Sequence, residues 1–528
     1  MPDLPTPGFS DDNSRLNESL AKSIITEPLY GKIRREASGQ ATPPPQGHRV
    51  IIEVNLEYAA GRQAAVQATA DMVAKVLVPP VAPPVGGADP LPAPGSHLAT
   101  PSPTLPFLFA QLMWWQIFEL VELNEKAGDD RRRRPIYHIW DDHQVSTMIV
   151  ESVRTVKADA ARVAFGARGQ GITWAVLDSG IDASHQHFSS DYKNLKLELP
   201  LSHWDFTGLS PVAVELPVDP YGHGSHVAGI IAGSYTPPPE PALAPAISLA
   251  AKRQESAGGV GAAGVQYTRY EMGKTPYTGI APAARLVSLR VLDEAGKGRA
   301  SSIISAIEKI LEINDYGRYL LIHGANLSVG YAFEPEWFAC GQSPLCVAVN
   351  RLVRSGVVVV VAAGNTGYGL NRVQFAGPGS AGLMVSINDP GNAQDAITVG
   401  STHRDSPHVY GVSYFSSKGP TGDGRLKPDL VAPGEKIQSC AAGKLLAQTG
   451  VPITPAEQPR AYLENSGTSM AAPHVSGAVA AFLSIRREFI GQPSVVKNIF
   501  LDSATDLGRE RYFQGRGLLD LMRVIQSV

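Results

Sequence analysis

Cysteine is scarce. Cys340, Cys346 and Cys440 are the only three in 528 residues, too few for a disulfide-built scaffold. Cys340 and Cys346 enclose Gly-Gln-Ser-Pro-Leu, which leaves two readings open: a local disulfide or two reduced thiols. Long apolar runs are lacking too. No uninterrupted stretch of about 18 apolar residues occurs, so no transmembrane helix is expected. Residues 1–7 have neither a basic start nor an apolar core, so they do not read as a Sec signal peptide. A cytoplasmic protein is therefore the expectation, with export by another route as the alternative. Excess charge of one sign is also missing. A formal net charge of −3 gives no reason to expect nucleic acid or an anionic membrane as the main partner. No internal repeat is visible.

What the chain has in quantity is glycine and clustered proline, 52 and 42 residues, which punctuate loops and linkers. Residues 1–47 are polar and read as weakly ordered, with one short helix near 15–25. Residues 48–56 have strand character and 62–78 helical periodicity, the start of a small α+β unit. The Pro/Gly/Ala-rich stretch 79–106 reads as a linker. Residues 107–123 read as one packing helix, with Gln111, Gln116, Glu119 and Glu122 making it too polar to span a bilayer. A short strand is expected at 136–140.

From residue 158 the pattern changes. A helix at 159–165 leads into Thr173-Trp174-Ala175-Val176-Leu177-Asp178, an apolar strand ending in a carboxylate. Apolar strands then alternate with helices: 286–291, 301–313, 325–328, 347–354, 357–363 and 396–399. Such alternation predicts a mainly parallel sheet covered by helices on both faces. Residues 235–278, with a Pro triplet and a Gly/Ala tract, read as a surface insertion.

Four polar residues stand at the ends of these elements. Asp178 closes a strand, in Val-Leu-Asp-Ser-Gly-Ile-Asp. His223 opens a helix in Gly222-His223-Gly224-Ser225-His226-Val227-Ala228-Gly229. Asn365 follows an apolar strand in Ala362-Ala363-Gly364-Asn365. Ser469 lies in Gly467-Thr468-Ser469-Met470-Ala471-Ala472-Pro473-His474, a tight turn into a helix of small residues. Alone, Gly-Thr-Ser is a common helix cap, and Gly467 is expected to supply a backbone conformation other residues resist. Together the four match a chemistry. A serine hydroxyl needs a base, the base needs a carboxylate to hold its tautomer, and the oxyanion needs donors such as the Ser469 N–H and the Asn365 amide. His223 and His226 as a metal pair lack an accompanying ligand pattern, so no metal site is expected.

The order Asp, His, Ser and the three long motifs resemble those of the subtilisin-like serine proteases, the subtilases, over residues 158–528. The resemblance implies a three-layer α/β fold with Asp178 as orienting acid, His223 as general base, Ser469 as nucleophile and Asn365 as oxyanion donor. It implies that Ser328, Val329 and Gly330 pair with substrate backbone opposite Ala362, Ala363 and Gly364. Ser179 and Ser225 stand where Thr is commoner in the family. Chemistry of this kind requires no cofactor. Structural calcium is implied by the resemblance alone, since no loop has a clear run of oxygen ligands.

The resemblance also implies an N-terminal region, here 48–150, that acts as an intramolecular inhibitor and is removed by self-cleavage between residues 145 and 158. The stretch 79–130 departs from a compact prodomain. The expected activity is that of a serine endopeptidase acting on polypeptides. A latent, protease-like regulatory or binding protein and an esterase are the other readings of the same residues. Tyr331 is left open as a residue that narrows the pocket or points away.

Overall fold

The computed structural model describes residues 24–25, 27–40, 42, 47–77, 97–98, 107–128, 130–141, 149–189, 191–208, 210–237, 246–253, 265–271, 276–333, 339–373 and 377–528. The chain forms two compact units, residues 1–146 and 147–528.

The first unit is an antiparallel sheet with helices. Its elements are α1 (Glu27–Ala37), β1 (His48–Val54), α2 (Arg62–Leu77), β2 (His97–Leu98), β3 (Phe107–Leu112), α3 (Trp114–Lys126) and β4 (Ile136–Asp141), with strand order β2-β3-β1-β4. Val50, Ile52 and Val54 alternate into its core and meet Val66, Val73 and Val76 of α2 and Ile117 and Leu120 of α3. Two expectations are corrected here. The run 107–123 is a strand followed by a helix, because the Gln116 side chain accepts the Met113 N–H at 2.8 Å and starts a new helix there. The stretch 27–37, read as weakly ordered, is a helix, because Leu29, Tyr30 and Ile33 are buried in this core. The helix expected near 15–25 and most of the linker 79–106 lie outside the described residues.

The second unit begins with α4 (Ile149–Thr155) and α5 (Ala158–Phe165) and is built on β5 (Thr173–Asp178), β6 (His203–Asp205), β7 (Val212–Val214), α6 (His223–Ile231), β8 (Arg285–Arg290), α7 (Ala300–Ile313), β9 (Gly324–Leu327), α8 (Pro344–Arg354), β10 (Val358–Ala362), β11 (Ile397–His403), β12 (Leu430–Glu435) and α9 (Thr468–Ile485). The eight strands form one sheet in the order β12-β11-β10-β9-β5-β8-β6-β7, parallel except for the β6–β7 pair. Successive residues of one strand enter different cores. Trp174, Val176, Val358 and Val360 pack with α6 and α9, whereas Ala175, Leu177, Val359 and Val361 pack with α7 and α8. Burial on both faces explains the unbroken apolar runs.

α9 runs through the core. It is long and apolar enough to cross a bilayer by composition, but 83% of it is buried inside the protein. Its small residues permit close packing: a Cβ on Gly477 would lie 2.6 Å from Ile280 Cβ. The insertion is not purely superficial. Ile247–Arg253 and Val265–Glu271 form a hairpin, and its first strand pairs with Ala461–Asn465, the strand leading to Ser469. Ile247 and Leu249 are buried there. Cys340, Cys346 and Cys440 are free, buried thiols, which decides between the two cysteine readings.

Candidate active site

Every strand of the parallel set ends at the same edge of the sheet, so residues that follow them are gathered there. Asp178 ends β5, Ser328 follows β9, and Asn365 comes three residues after β10. His223 and Ser469 stand in the first turns of α6 and α9. The turn into α6 needs glycine: Gly222 has φ 106°, and a Cβ there would lie 2.1 Å from the Ala442 carbonyl oxygen. Gly467 is different from expectation. Its φ of 162° is extended backbone, and the constraint is space, since a Cβ would lie 3.3 Å from Asn365 Nδ2.

Asp178 is fully buried, and its Oδ1 accepts hydrogen bonds from His223 Nδ1 at 2.8 Å and from the Ser179 N–H at 2.7 Å. Burial opposes the charged imidazole of His223. The Asp178 carboxylate and its hydrogen bond outweigh that, with help from Asp219, and hold the pKa above the usual histidine value. Nδ1 is thus held by a carboxylate, which leaves Nε2 as the nitrogen free to take a proton.

A cavity of about 670 Å³ is lined by His223, Ser469, Asn365, Ser328, Val329, Gly330, Ala362 and Gly364. Among the expected residues Ala363 is the exception. Its N–H donates to the Val399 carbonyl and its own carbonyl accepts the Asn388 N–H, which keeps it in the core and out of the wall. Val329 and Gly330 have no backbone–backbone hydrogen bond among the described residues, so their N–H and C=O groups are open to a partner. Tyr331 lies on the wall, 37% exposed.

The Ser469 hydroxyl donates to the Ser328 carbonyl at 3.1 Å, and no hydrogen bond joins it to His223 among the described residues. A rotation about χ1 redirects it, and hydrogen bonds of this kind are commonly loose before substrate arrives. Asn365 Oδ1 accepts from the Thr468 N–H at 2.9 Å and from Thr468 Oγ1 at 3.0 Å. The amide orientation is set by these two donors, and it leaves Nδ2 available as a donor. The Ser469 N–H, in the first helical turn, has no helical acceptor.

Two functional groups escaped the sequence reading. Asp219 is buried and caps α6: its Oδ1 accepts from the Gly222 N–H and Ser179 Oγ, and its Oδ2 from the Ser225 N–H. Its position four residues before His223 was the available signal, an acid at a helix start. Asn326 is the other. Its Nδ2 donates to Ser328 Oγ and its Oδ1 accepts from Ser476 Oγ.

His226 and His474 are buried. His226 Nε2 meets the Leu463 carbonyl and His474 Nδ1 the Met470 carbonyl. Among the described residues no three His, Cys, Asp or Glu side chains gather as metal ligands.

Asp178 bonded to His223, beside a cavity that His223, Ser469 and Asn365 line, is an arrangement of the kind a serine hydrolase uses. The subtilase family profile matches residues 169–517, more than half of the chain. The chain belongs to the subtilase family and is a serine endopeptidase. It is 28% identical over 412 residues to Subtilisin E of Bacillus subtilis (strain 168), covering 76% of this chain and 79% of that one. It is 30% identical over 348 residues to Serine protease AprX of the same strain, covering 64% and 62%. It is 31% identical over 330 residues to Pyrolysin of Pyrococcus furiosus, covering 58% of this chain but 21% of that protein.

Proposed function

We propose that Ser469 is the nucleophile, His223 the general base, Asp178 the residue that orients it, and Asn365 with the Ser469 N–H the oxyanion donors. The reading rests chiefly on the 2.8 Å Asp178–His223 bond at a cavity that Ser469 and Asn365 also line. A polypeptide lies extended against Val329 and Gly330. The Ser469 hydroxyl turns from the Ser328 carbonyl to His223 Nε2, gives up its proton and attacks the scissile carbonyl. Asp178 stabilises the imidazolium. Negative charge developing on the carbonyl oxygen is met by the Asn365 Nδ2–H and the Ser469 N–H. The imidazolium then protonates the leaving amine, and water attacks the acyl-enzyme by the reverse path. No step needs a metal or cofactor.

The finer reading is a serine endopeptidase made in a restrained form. Its N-terminal region acts as an intramolecular inhibitor until the chain cuts itself between residues 145 and 158, and the enzyme acts in the cytoplasm. Intact-mass and N-terminal analysis of the wild type and of Ser469→Ala tests this. Cleavage in the wild type alone is expected. Two full-length proteins, or identical cleavage in both, would overturn self-processing. Hydrolysis of a denatured polypeptide by Ser469→Ala at the wild-type rate would overturn the assignment of the nucleophile.

A further inference from the structure

The cavity has a second wall, formed by the loop between β8 and α7 and the start of that helix. Its charge is of one sign. Apart from His223, the charged side chains lining the cavity are Lys297 and Arg299, both exposed, and no Asp or Glu lines it among the described residues. The acids on the same loop are otherwise engaged. Asp293 Oδ1 accepts the N–H groups of Ala295 and Lys297, and its carboxylate lies near enough to Lys297 to be held below the usual range, chiefly by those backbone bonds. Glu294 lies 3.7 Å from Lys444. Asp293 thus offsets Lys297 in part, whereas Arg299 has no ion-pair partner among the described residues.

The strand order gives the width of the sheet between the two walls. β8 is separated from β9 by β5 alone. Two strand spacings are about 10 Å, which an extended peptide covers in about three residues. We propose that Arg299, supported by Lys297, selects an acidic side chain, Asp or Glu, two to four residues from the scissile bond of the substrate. This rests on the assignment of the cavity as the peptide-binding cleft. A guanidinium offers a fork that matches a carboxylate. An exposed pair is worth little by itself, but a cleft of one sign concentrates its field and speeds encounter with oppositely charged ligands. The walls without Lys297 and Arg299 are uncharged apart from His223, so the preference belongs to this loop and not to the residue beside Asn365.

The test uses the full chain and quenched fluorescent peptides that differ only in Glu, Ala or Lys at each position flanking one cleavage site. At low ionic strength kcat/KM is expected to favour Glu over Lys by ~5-fold at one or two positions. At roughly 0.5 M salt the ratio is expected to fall towards unity. Arg299→Gln is expected to remove the preference and Arg299→Glu to reverse it, with Lys297→Glu acting in the same direction more weakly. Equal hydrolysis of Glu and Lys peptides by the wild type, or a preference that survives both Arg299 variants and salt, would overturn the inference while leaving the active-site assignment standing. Failure of the processed wild type, cut between residues 145 and 158, to hydrolyse any of the peptides would overturn that assignment, and this inference with it.

Discussion

Ser328 and Ser469 exchange two hydrogen bonds: Ser328 Oγ donates to the Ser469 carbonyl at 2.9 Å, and Ser469 Oγ donates to the Ser328 carbonyl at 3.1 Å. Pro473 explains the first. It stands four residues after Ser469 inside α9 and has no N–H to offer that carbonyl. Ser328 Oγ supplies the missing donor and is held by Asn326 Nδ2, whose amide is held in turn by Ser476 Oγ. The backbone at Ser469 is therefore fixed through buried side chains of the β9 strand end and α9.

Asn326→Ala breaks this chain at its centre. It leaves a buried hydroxyl without its partner, a loss of about 1–3 kcal/mol. The expected outcome is a fall in kcat of roughly 10-fold with a smaller change in KM, and a lower Tm in the Ser469→Ala background. Unchanged kcat would show that the exchange does not position Ser469.

The pH profile reports on His223. Its pKa is raised above 6.5 by Asp178 in spite of burial. The base must be neutral to accept a proton, so kcat/KM should rise with pH through an acid limb centred above 6.5. Asp178→Asn removes the charge and should lower kcat by roughly 10⁴-fold, with the remaining limb moved to lower pH. A limb unmoved by that substitution would assign it to another group.

Buried histidines make the fold acid-sensitive. Burial pushes the His187 and His226 rings down to about 3 and His474 to about 4, from 6.5. The unfolded chain binds these protons below about 6.5 and the native state does not. Stability should therefore fall as pH drops from about 6.5 towards 4, each ring adding up to ~1.4 kcal/mol per pH unit. Tm of Ser469→Ala across that range measures it, and His187→Gln should flatten the slope. A level Tm would contradict the account.

Asn365→Ala removes the side-chain amide proposed as an oxyanion donor. The expected loss is about 10²–10³-fold in kcat with KM little changed; that size is the known precedent for such a donor in this family, not a result of the geometry. A main effect on KM would make Asn365 a ground-state binder instead.

The sequence announced the site more clearly than its supports. Asp178, His223, Asn365 and Ser469 each close, follow or open an element, where a glycine-marked turn makes position readable. Asn326 does not, because its partner Ser476 is 150 residues away and the two meet only when α9 packs on β9. Asn326 sits between Ala325 and Leu327, which face the other core, so its polarity inside an apolar strand was the one trace. Residues 107–123 failed for another reason. A short apolar strand and an apolar helix look alike without a visible break, and the break here is a side-chain bond from Gln116. The hairpin of the insertion was hidden by its Pro- and Gly/Ala-rich flanks, although Ile247 and Leu249 bury themselves against the strand before Ser469.

Labelling with a fluorophosphonate, followed by mass mapping of the modified peptide, tests the central claim most directly. The predicted result is one adduct, on Ser469, formed by the wild type, lost in Ser469→Ala and strongly slowed in His223→Ala. An adduct on another residue, or peptide hydrolysis that persists after Ser469 is fully modified, would contradict it.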